Sequence, residues 1–357
     1  MLAFKYISYH YLKFFFVILI ALILFLVGFD YMQRAEKLSE ASGNILVIYL
    51  VYKAFYAIDM LLPLSLIFAM ISTKIFLIRS NALVSFYSLG YSRVDILKPF
   101  VVISTLIVVL FISFHASPKF ARSAEFAKNI RNNAQYLSPT RDLFFTYEDK
   151  FIYFSKLLPL QKKAIDIRVF SIKENTLTQV IIAKKAVYVD NAWHIKQADL
   201  IQKPHNIGFD SKGFSVLEKK DLTILKGFRP KMIDQIYEGK VNFTIGDALD
   251  ALVLLEKQGL DTGRIYGALY KIFIYPFFVP SVIVIIFFFV PISIRFLNVS
   301  LFSFGAILST LMVWGILYML IELSSNKTIS AEMGILGPVL TLFFIALRQW
   351  RKYRLKT

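Results

Sequence analysis

Ile165-Asp166-Ile167-Arg168-Val169-Phe170, Val180-Ile181-Ile182-Ala183, Ala186-Val187-Tyr188-Val189 and Trp193-His194-Ile195-Lys196 follow one another in the polar middle of the chain, about residues 115 to 264. Phe151-Ile152-Tyr153-Phe154 opens the series. Turn formers interrupt it at Glu148-Asp149, Glu174-Asn175, Asp190-Asn191 and Asp210-Ser211-Lys212-Gly213. Period-two alternation broken at such short intervals predicts an antiparallel β-sandwich or roll. The chain on either side is of another kind. Long apolar runs cover about 14–29, 45–77 and 100–114 before the stretch, and about 268–294, 299–321 and 333–347 after it. Several approach the roughly 20 residues needed to cross a bilayer. The expected architecture is a polytopic α-helical membrane protein: six transmembrane helices, three plus three, around an inserted all-β, jellyroll-like domain.

Composition agrees. Of 357 residues 57% are hydrophobic and only 18% charged, which excludes an ordinary soluble domain. The net charge of +17 is divided between membrane flanks and the polar insert rather than gathered on one arm, so no nucleic acid partner is implied. With no cysteine, the chain has neither disulfides nor a thiolate zinc site. The first run lacks a prompt small-x-small cleavage site and is read as a retained helix.

The expected division is 1–117 for three helices with a cytoplasmic helix at 80–95, then 118–264 for the insert. Within the insert, helical connectors at 119–136 and 244–258 flank the β-roll at about 137–240. Residues 265–357 supply three more helices and a basic tail. If both ends are cytoplasmic, the inner segments hold Lys5, Lys13, Lys74, Arg79, Arg93, Lys98, Arg295 and the tail's Arg348, Arg351, Lys352, Arg354 and Lys356, against Asp95 alone. The outer hairpins, 30–40 and 322–332, hold Arg34, Lys37 and Lys327 against Asp30, Glu36, Glu40, Glu322 and Glu332. The positive-inside rule then places the β-insert outside the cytoplasm.

The sequence carries no engine of its own. It has no phosphate loop, no nucleophile elbow and no H-E-x-x-H pair. The histidines at 10, 115, 194 and 205 fall in unrelated contexts. What remains is positional. Residues 80–95 form a short amphipathic helix and turn, with apolar Leu83, Val84, Phe86, Tyr87 and Leu89 between Arg79 and Arg93. That pattern suits a docking element, and equally an interfacial loop helix. In the second run Lys53 and Asp59 are six apart and cannot face each other, so Asp59 needs a partner on another helix. Pro276 and Pro280 are expected to kink the fourth run.

Residues 83–93, Leu-Val-Ser-Phe-Tyr-Ser-Leu-Gly-Tyr-Ser-Arg, resemble the coupling segment of the LptF/LptG permease subunits of the lipopolysaccharide exporter. Ala127-Lys128-Asn129-Ile130-Arg131 is similar to that family's basic stretch after its third helix. Leu255 to Arg264 is similar to the approach to the fourth helix in the G subunit, which makes the chain LptG-like. Where family members often carry a Glu before the coupling helix, this chain has Asn81-Ala82, and Tyr31 falls near the family's outer lysine. The resemblance implies a non-enzymatic subunit without a cofactor. It would lie in a bacterial inner membrane and pair with a second, LptF-like permease half. A cytoplasmic LptB-like ATPase dimer and LptC/LptA-like periplasmic bridge proteins would complete the complex.

The implied contacts follow. Arg79, Leu83, Phe86, Tyr87, Gly90 and Arg93 would couple to the ATPase. Arg34, Lys37, Lys128, Arg131, Arg264 and Lys271 would meet lipopolysaccharide phosphates near the outer face, each worth about 1 kcal/mol at an anionic surface. The alternatives are a permease for another lipid or for lipoproteins, or a membrane anchor for assembly factors that moves nothing.

Overall fold

The computed structural model describes residues 2–36, 43–131, 140–147, 150–158, 162–173, 176–190, 192–203, 213–225, 243–256, 262–289 and 298–354. The polytopic helical chain with an inserted all-β domain is what it contains. Six helical spans are long and apolar enough to cross a bilayer. They are α1 (Leu2–Met32), α2 (Gly43–Arg79), α4 (Arg93–Phe114), the pair α8 (Gly263–Phe273) and α9 (Phe278–Phe289), α10 (Val299–Ser325), and α11 (Gly337–Arg354), which a π turn at Glu332–Leu336 introduces. Shorter helices are α3 (Ala82–Ser88), α5 (Pro118–Ala121), α6 (Ser123–Arg131) and α7 (Ile245–Glu256).

The bundle is built around α2. Its 37 residues would extend about 55 Å, well beyond a ~30 Å hydrocarbon core, so the helix must tilt or protrude. Its middle is apolar on all sides, with Leu66, Ile67, Ala69 and Met70 fully buried, as a helix enclosed by others requires. Tyr11 of α1 is buried with it and donates its hydroxyl to the Leu66 carbonyl at 3.1 Å, which satisfies a phenol that has no access to water. The fourth span is broken at Pro276: α8 ends, Tyr275–Phe277 forms a 3₁₀ turn, and α9 resumes. Proline lacks the N–H that would carry the ladder through this point. Where α11 begins, Gly334 lies against α10 so closely that an added Cβ would sit 2.9 Å from the Leu320 carbonyl oxygen and 2.9 Å from the Ser324 Cβ.

Among the described residues the insert holds one antiparallel sheet in sequence order: β1 (Thr140–Tyr147), β2 (Lys150–Leu158), β3 (Lys163–Lys173), β4 (Thr176–Val189), β5 (Ala192–Gln202) and β6 (Ser215–Ile224). Register carries apolar rows straight across it. Leu143, Phe154, Ile167 and Ala183 form one row; Ile152, Val169, Ile181, Leu200 and Leu217 form another. The sheet coils on itself. Three strand steps separate β2 from β5, about 14 Å on a flat sheet, yet the rings of Phe154 and Trp193 lie 5.5 Å apart. That coiling lets a meander bury Trp193 and Phe154 completely.

The chain divides into two compact units. One holds the helical spans with residues 244–248; the other holds 128–243 and 249–261.

Candidate functional site

The sequence at 81–95 folds into a stiff corner. Asn81 starts α3 from a left-handed backbone (φ 55°). The helix ends in a Schellman motif. Gly90 takes φ +84° at the position where a Cβ would be penalised. The Gly90 N–H donates to the Tyr87 carbonyl at 3.0 Å, and the Tyr91 N–H donates to the Phe86 carbonyl at 3.1 Å. The hydrophobic contact that accompanies this motif is present as the Phe86 and Tyr91 rings, 6.0 Å apart. One residue later α4 begins with a capping box: the Asp95 N–H donates to Ser92 Oγ at 3.1 Å, and the Ser92 N–H donates to Asp95 Oδ2 at 3.2 Å. Lys98 closes on Asp95 at 2.6 Å. Two helix ends are satisfied within a few residues, so the corner holds its shape without help from a partner.

This corner sorts the expected coupling residues. Leu83 is 0% exposed and belongs to the bundle core, so it anchors the corner and cannot touch a partner. Leu89, at 74%, and Val84, at 42%, point outward instead. The sequence offered all three as apolar residues suited to a partner, because a seven-residue helix has too few turns to show which side is covered. Phe86 and Tyr87 are half-buried, with Phe86 6.0 Å from the Tyr6 ring of α1. Burial pushes the Tyr87 phenol up to about 12. Arg79 is exposed at the end of α2, and the Arg93 guanidinium lies 5.8 Å from the centre of the Tyr353 ring. A groove of about 800 Å³ runs beside the corner between Ala3, Phe4 and Lys5 of α1 and the Leu89-Gly90-Tyr91 turn.

Lys74, counted above with the basic inner flank, is inside the bundle. It is 2% exposed, donates to the Phe287 carbonyl, and lies 3.6 Å from the centre of that residue's ring. The helical donor for the Phe287 carbonyl would be the N–H of residue 291, which is a proline and has none. A lysine from α2 therefore caps α9, a pairing invisible in sequence because the two are 213 residues apart.

At the other end of the spans, Arg34 is engaged rather than free. It pairs with Asp30 at 3.2 Å and donates to the Tyr49 hydroxyl at 3.2 Å, while Tyr49 itself donates to Asp30. Lys53 completes the group at 3.0 Å from the same carboxylate. Two cations on one carboxylate leave a local positive excess and join α1 to α2. Lys37 lies outside the described residues. Asp59 meets His115 at 3.0 Å, so it does find its partner on another helix. The His115 carbonyl accepts from the Ile245 N–H at 3.2 Å, and Arg122 pairs with Asp247 at 2.7 Å. The outgoing and returning connectors are thus fastened to each other, a feature the sequence reading did not see.

Arg264 and Lys271 are half-buried on α8, seven residues apart and so on one side of it. Lys128 is exposed on α6; the Arg131 side chain lies outside the described residues. Lys128 and Arg131 belong to the β-containing unit, and Arg34, Arg264 and Lys271 to the helical one.

Inside the sheet, Trp193, Phe154, Ile152 and Ile167 fill the concave face with their own side chains. The most exposed large apolar side chains of this unit, Phe214 and Val216, lie at β6 together with Leu217; Phe144, Leu177, Val187 and Val189 are also exposed.

No curated protein matches the chain. One family model does, over residues 5–352, nearly its full length and both halves of the bundle. Six spans, a β-insert after the third and that match assign the chain to the lipopolysaccharide export system permease LptF/LptG family.

Proposed function

We propose that the chain is the G-type half of a permease heterodimer, driven by a separate cytoplasmic ATPase dimer, that lifts lipopolysaccharide from the inner membrane toward periplasmic bridge proteins. Both termini are then cytoplasmic and the β-domain periplasmic. The observation that carries ATPase coupling is the self-satisfied corner at 81–95, which turns Leu89 and Val84 outward beside Arg79. A rigid apolar knob with a flanking cation can transmit a push from a docked partner; a floppy loop would absorb it.

Energetics support a continuous path. A lipid with on the order of 60 methylenes would lose about 50 kcal/mol if dropped bare into water, at ~0.8 kcal/mol each. Its chains must therefore stay in apolar contact throughout. On the helical unit Arg264, Lys271 and the Arg34 group would meet its phosphates at the outer face, and on the β-containing unit Lys128 and Arg131 would do so. The filled core around Trp193 moves the expected path on the β-domain to the exposed apolar residues near β6, the last strand of the sheet among the described residues, to which a bridge protein could add a strand.

The test compares two leucines of one corner. Leu89→Asp should abolish copurification of the ATPase while leaving the thermal transition of the permease unchanged. Leu83→Asp should instead lower folded yield, since truncating a buried leucine alone costs about 2–5 kcal/mol. Retention of the ATPase by Leu89→Asp removes this corner from the coupling. In cells depleted of the chain, lipopolysaccharide should accumulate in the inner membrane; normal delivery to the surface would reject export.

A further inference from the structure

A crevice of about 400 Å³ opens between α4, α9 and α11, apart from the outer cations and with its mouth beside the coupling corner. Val101 and Thr105 form one wall, Pro280 and Val284 another, and Phe343 and Trp350 a third. Its size falls within the range of ligand pockets. Ser281, one of the few polar side chains at its edge, donates its hydroxyl to the Phe277 carbonyl. What faces the space is hydrocarbon and aromatic ring.

The charge pattern says what fills it. On α11 the lining residues Phe343, Leu347 and Trp350 continue at the same helical spacing to Arg354, exposed one turn beyond. On α4 the lining residues Thr105 and Val101 continue to Lys98, exposed one turn back in the same direction. Arg93 and Tyr353 draw these two helix ends together at 5.8 Å, and Tyr353 stacks on Phe288 of α9 with centroids 4.2 Å apart. Asp95 is the one acidic residue of α4 or α11, so the mouth is positive. From Phe343 to Arg354 is eleven residues, about 16 Å along a helix, against about 15 Å for one leaflet's hydrocarbon. An acyl chain seated in the crevice places its headgroup among these cations.

We infer that this crevice binds an anionic glycerophospholipid of the leaflet on the side of the chain termini, one acyl chain between α4, α9 and α11 and its phosphate near Lys98 and Arg354. The site is separate from the export route, and the lipid braces α11, whose other contacts leave Phe343 and Phe344 uncovered.

The full chain in nanodiscs of equal phosphatidylglycerol and phosphatidylcholine tests this with a benzophenone amino acid at Phe343, and a control at Leu311, which is similarly exposed on α10. Phosphatidylglycerol adducts at position 343 should exceed phosphatidylcholine adducts about fivefold, the ratio one cation near an anionic surface supplies. Position 311 should give parity. Arg354→Glu should bring position 343 to parity without changing its total lipid adducts, and Ala346→Phe, which fills the crevice, should reduce them. Parity at position 343 in the unaltered protein would reduce the crevice to bulk-lipid contact and overturn the inference. A peptide adduct in place of lipid would also overturn it, by giving the crevice to a protein partner.

Discussion

Tyr87 and Lys74 show how the bundle handles polar atoms at the end that carries the 81–95 corner. The Tyr87 pKa lies above its ordinary 10.0 because burial disfavours the phenolate. The folded state therefore gains from neutral Tyr87 below pH 10, and that gain is lost as pH rises toward 12. Tyr87→Phe should melt with the unaltered protein below pH 10 and above it at higher pH; coincident curves throughout would show the phenol to be solvated. Lys74 acts as a donor to a helix-end carbonyl, and chemistry rather than size decides what can replace it. Lys74→Gln, which keeps an N–H donor, should express near the native level. Lys74→Glu, an acceptor facing an acceptor, should lose the folded protein, because a buried charge without its partner costs about 3–5 kcal/mol. Equal expression of the two would deny the cap.

At the level of helices and strands, close approach and turn chemistry set the constraints. Gly334 admits no Cβ without displacing the Leu320 backbone, so Gly334→Ala should destabilise by about 1–3 kcal/mol, seen as a lower melting temperature in detergent. Gly315 of α10, which has open space around it, should accept alanine without loss, and equal responses at the two glycines would refute the packing argument. Much at this level was legible in sequence. Period-two runs became β2 to β5, and Pro276 interrupted the fourth span. Less legible was the short α3: its apolar residues could be enumerated, but the choice of Leu83 inward and Leu89 outward depends on α1, α2 and α4 around it.

Across the whole bundle, coverage is uneven. The middle of α2 and most of α9 are enclosed, whereas α1 leaves Phe16, Ile20 and Leu24 uncovered and α10 leaves Met312, Ile316 and Met319 uncovered. Lipid or another subunit's helices must meet these faces. Since the chain has no cysteine, single cysteines at Leu24 and Met312 can be oxidised against cysteines in the proposed second permease half. If the proposed heterodimer forms, crosslinks at these two positions, and none at the buried Ile283, are expected; crosslinks confined to α11 would place its interface elsewhere. What the sequence determined by itself was local and periodic: six spans, an alternating insert, the glycine and proline that break them, and the absence of any phosphate loop. These follow from how each residue partitions and turns with respect to its near neighbours. What only the tertiary structure decided was pairing at long range: Lys74 on the end of α9, Asp59 on His115, Arg122 on Asp247, and Trp193 on Phe154 across a coiled sheet. Such contacts depend on the packing of distant segments, and a buried polar group leaves no mark in the sequence to name the partner that satisfies it.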